Sequence, residues 1–375
     1  MAIYARTLTA RGYRSYEDYE LELADGITIL VGRNAAGKTN LVEALQLLTS
    51  GQSFRRPAPR ELLREGDERG LVRLTLEGEG RRIEHACELG GSRRAFVRNG
   101  KKTNASGVRG VLPSVLFCPD DLDMVKRSAS VRRRALDDFG VQLNARYAAL
   151  VSAYERVVEQ RNNLLKERAL DPSLLAAWDE ALVANGSALM QHRAALLRRV
   201  ASHAARAYEG IAPHERMAIA YEPSIFSVPA GAPDASGVTP DLADRAAVEE
   251  LFRTRLAELA DDERRRGLTL VGPHRDEIAF TIDGRPARQY ASQGQQRSLV
   301  LAWKIAEVAV TRDILGYAPL LLLDDVMSEL DEQRRAAILL FIEGEVQTVI
   351  TTTNLGYFND DLLSRTKVVH IGEAR

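Results

Sequence analysis

The chain has 375 residues, of which 45% are hydrophobic and 27% charged, with a formal net charge of −1. This is the composition of an ordinary soluble protein of two or three domains, and near-neutrality by itself argues against a nucleic-acid partner. No apolar run approaches the ~18–20 residues of a membrane span and the N-terminus lacks a signal-peptide pattern, so a cytoplasmic protein with no membrane partner is expected. Cys87 and Cys118 have neither zinc-site spacing nor a disulfide framework, and the six histidines show no metal-binding pair.

Residues 1–31 alternate apolar and polar, with turn signals at Arg11-Gly12 and Asp25-Gly26, so short strands are expected first. The apolar run Ile27–Val31 then leads into Gly32-Arg33-Asn34-Ala35-Ala36-Gly37-Lys38-Thr39, a full match to GxxxxGK[ST], and Asn40 opens a helix-forming run. Backbone N–H groups of such a loop and the positive end of the next helix surround phosphate oxygens. Lys38 is expected on the β- and γ-phosphates and Thr39 on Mg²⁺, which makes ATP and Mg²⁺ the expected cofactors. A GTPase is excluded, because the chain has no Asn-Lys-x-Asp base reader.

Residues 71–118 read as strands and turns. Within 91–134 stand eleven positive charges, among them Arg93, Arg94, Lys101, Lys102, Lys126, Arg127, Arg132, Arg133 and Arg134, against three negative ones. A field that polarised can hold a polyanion although the whole chain is near neutral. These residues, with Arg55 and Arg56, are the candidate DNA contacts; a plain solvated surface is the competing reading.

From Leu143 the period changes. Leu143, Tyr147, Leu150, Tyr154, Val157 and Leu164 form a heptad stripe that only Arg161 breaks, and Leu175, Trp178, Leu182, Leu189 and Leu196 resume it after Asp171-Pro172. Two long helices joined by a short turn imply an antiparallel hairpin. Residues 223–246 read as a proline-rich connection, followed by a third helix through Val248–Leu259. Strands are expected at Leu268–Val271 and Ile278–Ile282, with a hairpin turn at Asp283-Gly284. The last hundred residues read helix, strand, helix, strand. Leu320–Leu323 is a buried-type strand ending in Asp324 and Asp325, with Asp324 expected on Mg²⁺ and Asp325 polarising the attacking water.

The loop Ser292-Gln293-Gly294-Gln295, at the start of a strong helix ~25 residues before that strand, resembles the signature loop of ABC-type ATPases. The resemblance implies that it caps a γ-phosphate bound by another subunit, that Ser328–Asp331 is the D-loop, and that Thr353 stands where a switch histidine is usual. No glutamine fits the Q-loop; Asp120 or Asp121 is the candidate there. More closely, Tyr13-Arg14-Ser15-Tyr16, Ser53-Phe54-Arg55, Gln160–Leu165, Val271–Asp276 and Ser292–Gln296 together resemble the RecF family of recombination mediators with SMC-like heads.

That resemblance implies an α/β fold: an ABC-type (SMC-head-like) P-loop ATPase head with an inserted α-helical hairpin arm. Residues 1–130 and 266–375 are expected in the head and 131–265 in the arm, with Arg14 also at the nucleotide. It further implies an ATP-dependent homodimer on duplex or gapped DNA, slow hydrolysis that releases it, a nucleoid-associated location, and work with RecR and RecO to load RecA. Ala35 replaces a glycine common in the family's loop. Other readings stand beside it: another SMC-like repair ATPase, a transporter subunit, or a clamp that ATP closes without cleavage. The letters His274-Arg275-Asp276 suggest a protein kinase, but the Asn and Asp-Phe-Gly that a kinase needs are missing.

Overall fold

A computed structural model describes residues 3–78, 80–226, 241–343 and 346–372, so most of the proline-rich connection lies outside the described residues. Seven strands come early: β1 (Ile3–Tyr13), β2 (Tyr16–Glu22), β3 (Ile27–Val31), β4 (Arg69–Gly78), β5 (Arg81–Gly90), β6 (Arg93–Arg98) and β7 (Lys101–Thr103). Then follow β8 (Ser114–Phe117), β9 (Met217–Glu222), β10 (Glu277–Ile282), β11 (Arg285–Pro286), β12 (Leu320–Asp324), β13 (Thr348–Thr352) and β14 (Lys367–His370). The chain forms two compact units, Met1–Leu122 with His203–His214 and Gln293–Arg375, and Asp123–Ser202 with Glu215–Ser292. These units divide the chain near 122 and 292, where the sequence reading placed its boundaries near 130 and 265.

The first unit holds a six-stranded sheet of order β2-β1-β4-β5-β6-β7 and a five-stranded sheet of order β14-β3-β13-β12-β8. The first is antiparallel and the second parallel throughout. Strands buried on both faces read as continuous apolar runs, and Leu320–Leu323 are each at most 2% exposed. The helix Lys38–Ser50 packs through Leu41, Leu45 and Leu48 into one core with Leu8, Leu74 and Leu322. Pairing of Thr352 with Val31 and of Thr351 with Asp324 brings the carboxyl ends of β3, β13 and β12 level, the edge where open α/β sheets bind ligands.

The second unit is the helical arm with the small sheet β11-β10-β9. The helix Ala145–Leu165 and residues 172–202 of the helix Pro172–Ile211, whose remaining residues belong to the first unit, form the expected hairpin, and Arg245–Arg266 is the third helix. The first helix starts later than the stripe suggested. Asn144 caps it by accepting from the N–H of Arg146 at 2.8 Å, so Leu143 closes the preceding helix Ala129–Leu143 instead. Arg161 breaks the seam because it is a buried ion-pair residue, bonded to Asp179 and Glu263 at 2.6 Å each and to Thr269 at 2.9 Å.

The strand expected at Leu268–Val271 is absent: the segment is irregular. Side chains satisfy its backbone in place of a ladder. Asn162 Oδ1 accepts from the N–H of Thr269 at 2.7 Å, and Glu263 Oε1 accepts from that of Leu270 at 2.7 Å. The Asp283-Gly284 turn is present, with φ of 49° and 75°, the left-handed pair that a tight hairpin requires.

Candidate nucleotide site and signature face

The phosphate loop leaves β3 at Gly32 and enters its helix at Gly37, whose φ is 101°. Only glycine fits there: a Cβ would lie 2.7 Å from Ser15 Oγ and 2.8 Å from Tyr16 Oη. Arg33, Asn34 and Ala35 are exposed at the tip of the loop. Ala35 has φ of 63°, so its methyl group carries a left-handed strain of roughly 1–2 kcal/mol. Lys38 Nζ bridges the carbonyls of Gly32 and Arg33 at 2.8 and 2.9 Å, spanning the loop it would share with a phosphate. Burial lowers the Lys38 pKa, and the nearby Asp325 and Asp324 oppose that shift.

Two residues that the sequence places 285 apart meet here: Thr39 Oγ1 donates to Asp324 Oδ1 at 3.0 Å. Thr351 donates to the same oxygen at 2.8 Å and accepts from the Asp325 N–H at 2.9 Å, so β13 orients the end of β12. Burial raises the Asp324 pKa, while Thr351, Thr39 and the charge of Arg55 work against it. A hydroxyl and a carboxylate oxygen side by side are hard donors suited to Mg²⁺, which takes few protein ligands beside phosphates and water. No cluster of three or more His, Cys, Asp or Glu occurs among the described residues, so the ion would depend on those other ligands. Tyr16 Oη, beside Gly37, is a buried group without a partner among the described residues, which fits a site built to receive another polar molecule.

Sequence reasoning missed the organiser of this edge. Glu43 is 0% exposed, within the apolar run of the phosphate-loop helix. It accepts from Arg14 Nε and Nη2 at 2.9 and 2.8 Å, from Ser53 Oγ at 2.6 Å and from Tyr13 Oη at 3.2 Å. Thus the Tyr-Arg-Ser-Tyr and Ser-Phe-Arg motifs are two halves of one carboxylate cradle. Arg14, expected at the nucleotide, has its guanidinium on Glu43. Arg55 donates to Asn40 Oδ1 at 2.9 Å, and its charge works against the rise in the Asp324 pKa. A buried charge flanked in sequence by two arginine-bearing motifs was the available signal.

Ser292 and Gln293 are exposed, and Gln293, Gly294 and Gln295 form the first turn of the helix Gln293–Leu315. Thr353 is exposed directly after β13, whose Thr352 carbonyl accepts from the Gly32 N–H at 3.3 Å. For the Q-loop position after β8, Asp121 is spent on the Cys118 N–H at 2.8 Å and on Lys304 at 3.1 Å, while Asp120 is exposed.

The basic segment is divided between the two units. Arg93, Arg94, Lys101 and Lys102 lie on β6 and β7 of the first unit, and Lys126, Arg127, Arg132, Arg133 and Arg134 belong to the second. Arg132 is corrected as a DNA contact: it is 4% exposed, with its fork on Glu277 at 2.8 and 2.7 Å. Arg133 is half-buried and donates to the Asp276 carbonyl at 2.5 Å. Arg56, Arg93, Lys101, Lys102, Lys126 and Arg134 are exposed; Arg127 is exposed too and pairs with Asp123 at 2.7 Å. Charges on the short edge strand β7 also guard that edge against pairing with another chain.

The fold and this arrangement define an ABC-type ATPase head of the SMC kind. The family model described as RecF/RecN/SMC N terminal domain matches residues 4–371. A Gloeobacter violaceus protein named "DNA replication and repair protein RecF" is 38% identical, over 100% of this chain and 98% of its own length. The protein of that name from Symbiobacterium thermophilum is 39% identical, over 97% and 94%. A solved structure described as "the recombination mediator protein RecF-ATPrS in RecFOR pathway" superposes with TM-score 0.87 at 28% identity, over 99% of this chain and 97% of that one. A Pyrococcus furiosus Smc head domain superposes with TM-score 0.57 at 14% identity, over 98% and 93%, a likeness of fold alone. The chain belongs to the RecF family.

Proposed function

We propose that this chain binds ATP and Mg²⁺ at the phosphate loop, closes into a two-fold dimer on DNA near gaps or junctions, and reopens after slow hydrolysis. The contact of Thr39 Oγ1 with Asp324 Oδ1 at 3.0 Å carries the reading, because it brings the two Mg²⁺ ligands together at the end of the phosphate-loop helix. Lys38 leaves its two loop carbonyls for the β- and γ-phosphates, which supply stronger, charge-assisted bonds. Thr39 and Asp324 would hold Mg²⁺, which would supply positive charge against the phosphates. Asp325 polarises the attacking water; its carboxylate is shorter than a glutamate, which suits slow turnover.

The signature loop serves the triphosphate of the other protomer, so each site needs both chains. Solved structures named for the RecFOR pathway support a place in that pathway, and a role with RecR and RecO in loading RecA is part of this reading. Exposed Arg93, Lys101, Lys102, Lys126 and Arg134 are the remaining backbone contacts, sequence-independent and salt-sensitive. Ser292→Arg provides the test: ATP binding is expected to persist while ATP-driven dimers disappear. Dimers of normal affinity in that variant would refute the shared site.

A further inference from the structure

Two arginines outside the assigned motifs tie the signature helix to the turn after β12. Arg297, in the second turn of the helix, donates through Nη2 to Glu329 Oε2 at 2.8 Å. Arg334, in the helix after that turn, donates through Nε to Ser298 Oγ at 2.8 Å and pairs through Nη1 with Asp331. Its guanidinium also sits against Gly294, where a Cβ would stand 3.1 Å from Nη2. The turn is braced from within: Arg335 donates to the carbonyls of Met327 and Leu330 at 3.3 and 2.6 Å, and Ser328 Oγ donates to the Asp325 carbonyl at 3.0 Å. All of these residues belong to the first unit.

Stability alone accounts poorly for the Arg297 pair. Its side chains are 32% and 42% exposed, a class of ion pair that contributes little to folding. Arg297 Nε is buried without an acceptor among the described residues, which works against stability. What the two arginines do achieve is geometric. They hold exposed Ser328 and Asp331 in fixed relation to the first turns of the signature helix.

We propose that Arg297 and Arg334 are positioning residues that make the signature helix and the Ser328–Asp331 turn one rigid face, presented as a unit to the partner protomer's triphosphate. The proposal rests on the two-fold dimer described above. A face ordered beforehand loses less conformational freedom on docking, so ATP closes the dimer at lower protein concentration. Because Ser328 also holds Asp325, this face is linked to the protomer's own nucleotide site, and filling one site favours completion of the other.

The test combines sedimentation velocity with ATP and Mg²⁺ and equilibrium binding of a fluorescent ATP analogue to dilute monomer. Arg297→Glu is expected to weaken ATP-driven dimerisation about tenfold or more, with nucleotide affinity of the monomer changed less than about twofold. Adding Glu329→Arg to that chain restores the pair with its charges exchanged and is expected to recover most of the dimerisation. Arg334→Gln is expected to behave like Arg297→Glu, and Arg334→Lys to fall between it and the unaltered chain. Unaltered dimerisation in Arg297→Glu, or no recovery in the exchanged pair with its thermal midpoint intact, overturns the proposal. Should the unaltered chain stay monomeric with ATP, the dimer itself is wrong, an outcome visible without any substitution.

Discussion

The phosphate-binding edge of the first unit and the Val271–Asp276 loop of the second use similar polar residues in opposite ways. At the edge, Lys38 rests on loop carbonyls, Thr39 and Thr351 share one carboxylate oxygen, and Ala35 and Asp325 sit at φ of 63° and 54°. That is locally strained backbone with polar groups grouped beside an open loop, a combination typical of ligand sites. In the second unit, Asp276 is 0% exposed and accepts from the Ser224 N–H at 2.7 Å and from the Tyr221 hydroxyl. His274 meets Tyr154 at 2.7 Å through Nδ1 and the Thr269 carbonyl at 3.0 Å through Nε2, and Arg193 donates to the Pro273 carbonyl at 2.5 Å. Here the polar groups satisfy one another. His274 and Asp276 of the His-Arg-Asp run therefore secure this loop.

If that contrast holds, substitutions in the second unit cost folding and those at the edge cost ligand. Arg161→Met leaves Glu263 buried at 0% exposure without its partner, and a loss of about 3–5 kcal/mol is expected in denaturant unfolding. A loss below ~1 kcal/mol would contradict the closed character of this network.

Acid sharpens the comparison further. Burial depresses the His274 imidazole from 6.5 to about 4. The unfolded chain thus binds a proton that the folded chain refuses between those values. The stability is complete above pH 6.5 and is lost as the pH falls towards 4, by about 3 kcal/mol in all. His274→Gln is expected to reduce the slope of unfolding free energy against pH in that window; burial also depresses the His85 imidazole, which acts in the same direction. An unchanged slope would remove His274 from the account.

At the edge, Lys38→Ala is expected to weaken ATP binding about a hundredfold by calorimetry, or ~2.7 kcal/mol, while the unfolding midpoint without nucleotide barely moves. A collapse of the ligand-free fold would place Lys38 with the structural residues instead. The smallest effect expected is at Ala35. Relief of left-handed strain outweighs the extra freedom that glycine gives the unfolded chain, so Ala35→Gly should gain about 0.5–1 kcal/mol in thermal unfolding. Destabilisation would show that the loop is relaxed as it stands.

The phosphate loop and the strand ending in Asp324 were legible because each is a local run with its own chemistry. Their meeting was expected because Thr39 and Asp324 were both assigned to Mg²⁺; what no spacing in the sequence encodes is the register of β13 against β3 and β12 that brings them level. Glu43 was missed for a related reason: its partners Arg14, Ser53 and Tyr13 arrive from segments on both sides of its helix. Leu268–Val271 misled because its apolar alternation is that of a strand, while Asn162 and Glu263 occupy its N–H groups. Arg132 misled by composition, because a count of positive charges does not register Glu277 across the fold.

Everything functional in this account returns to a triphosphate completed by a second copy of the chain. Sedimentation velocity with and without ATP and Mg²⁺ tests that directly. A monomer that becomes a dimer only with nucleotide, and fails to do so in Ser292→Arg, is the expected result; one unchanging sedimentation coefficient at saturating ATP would contradict it.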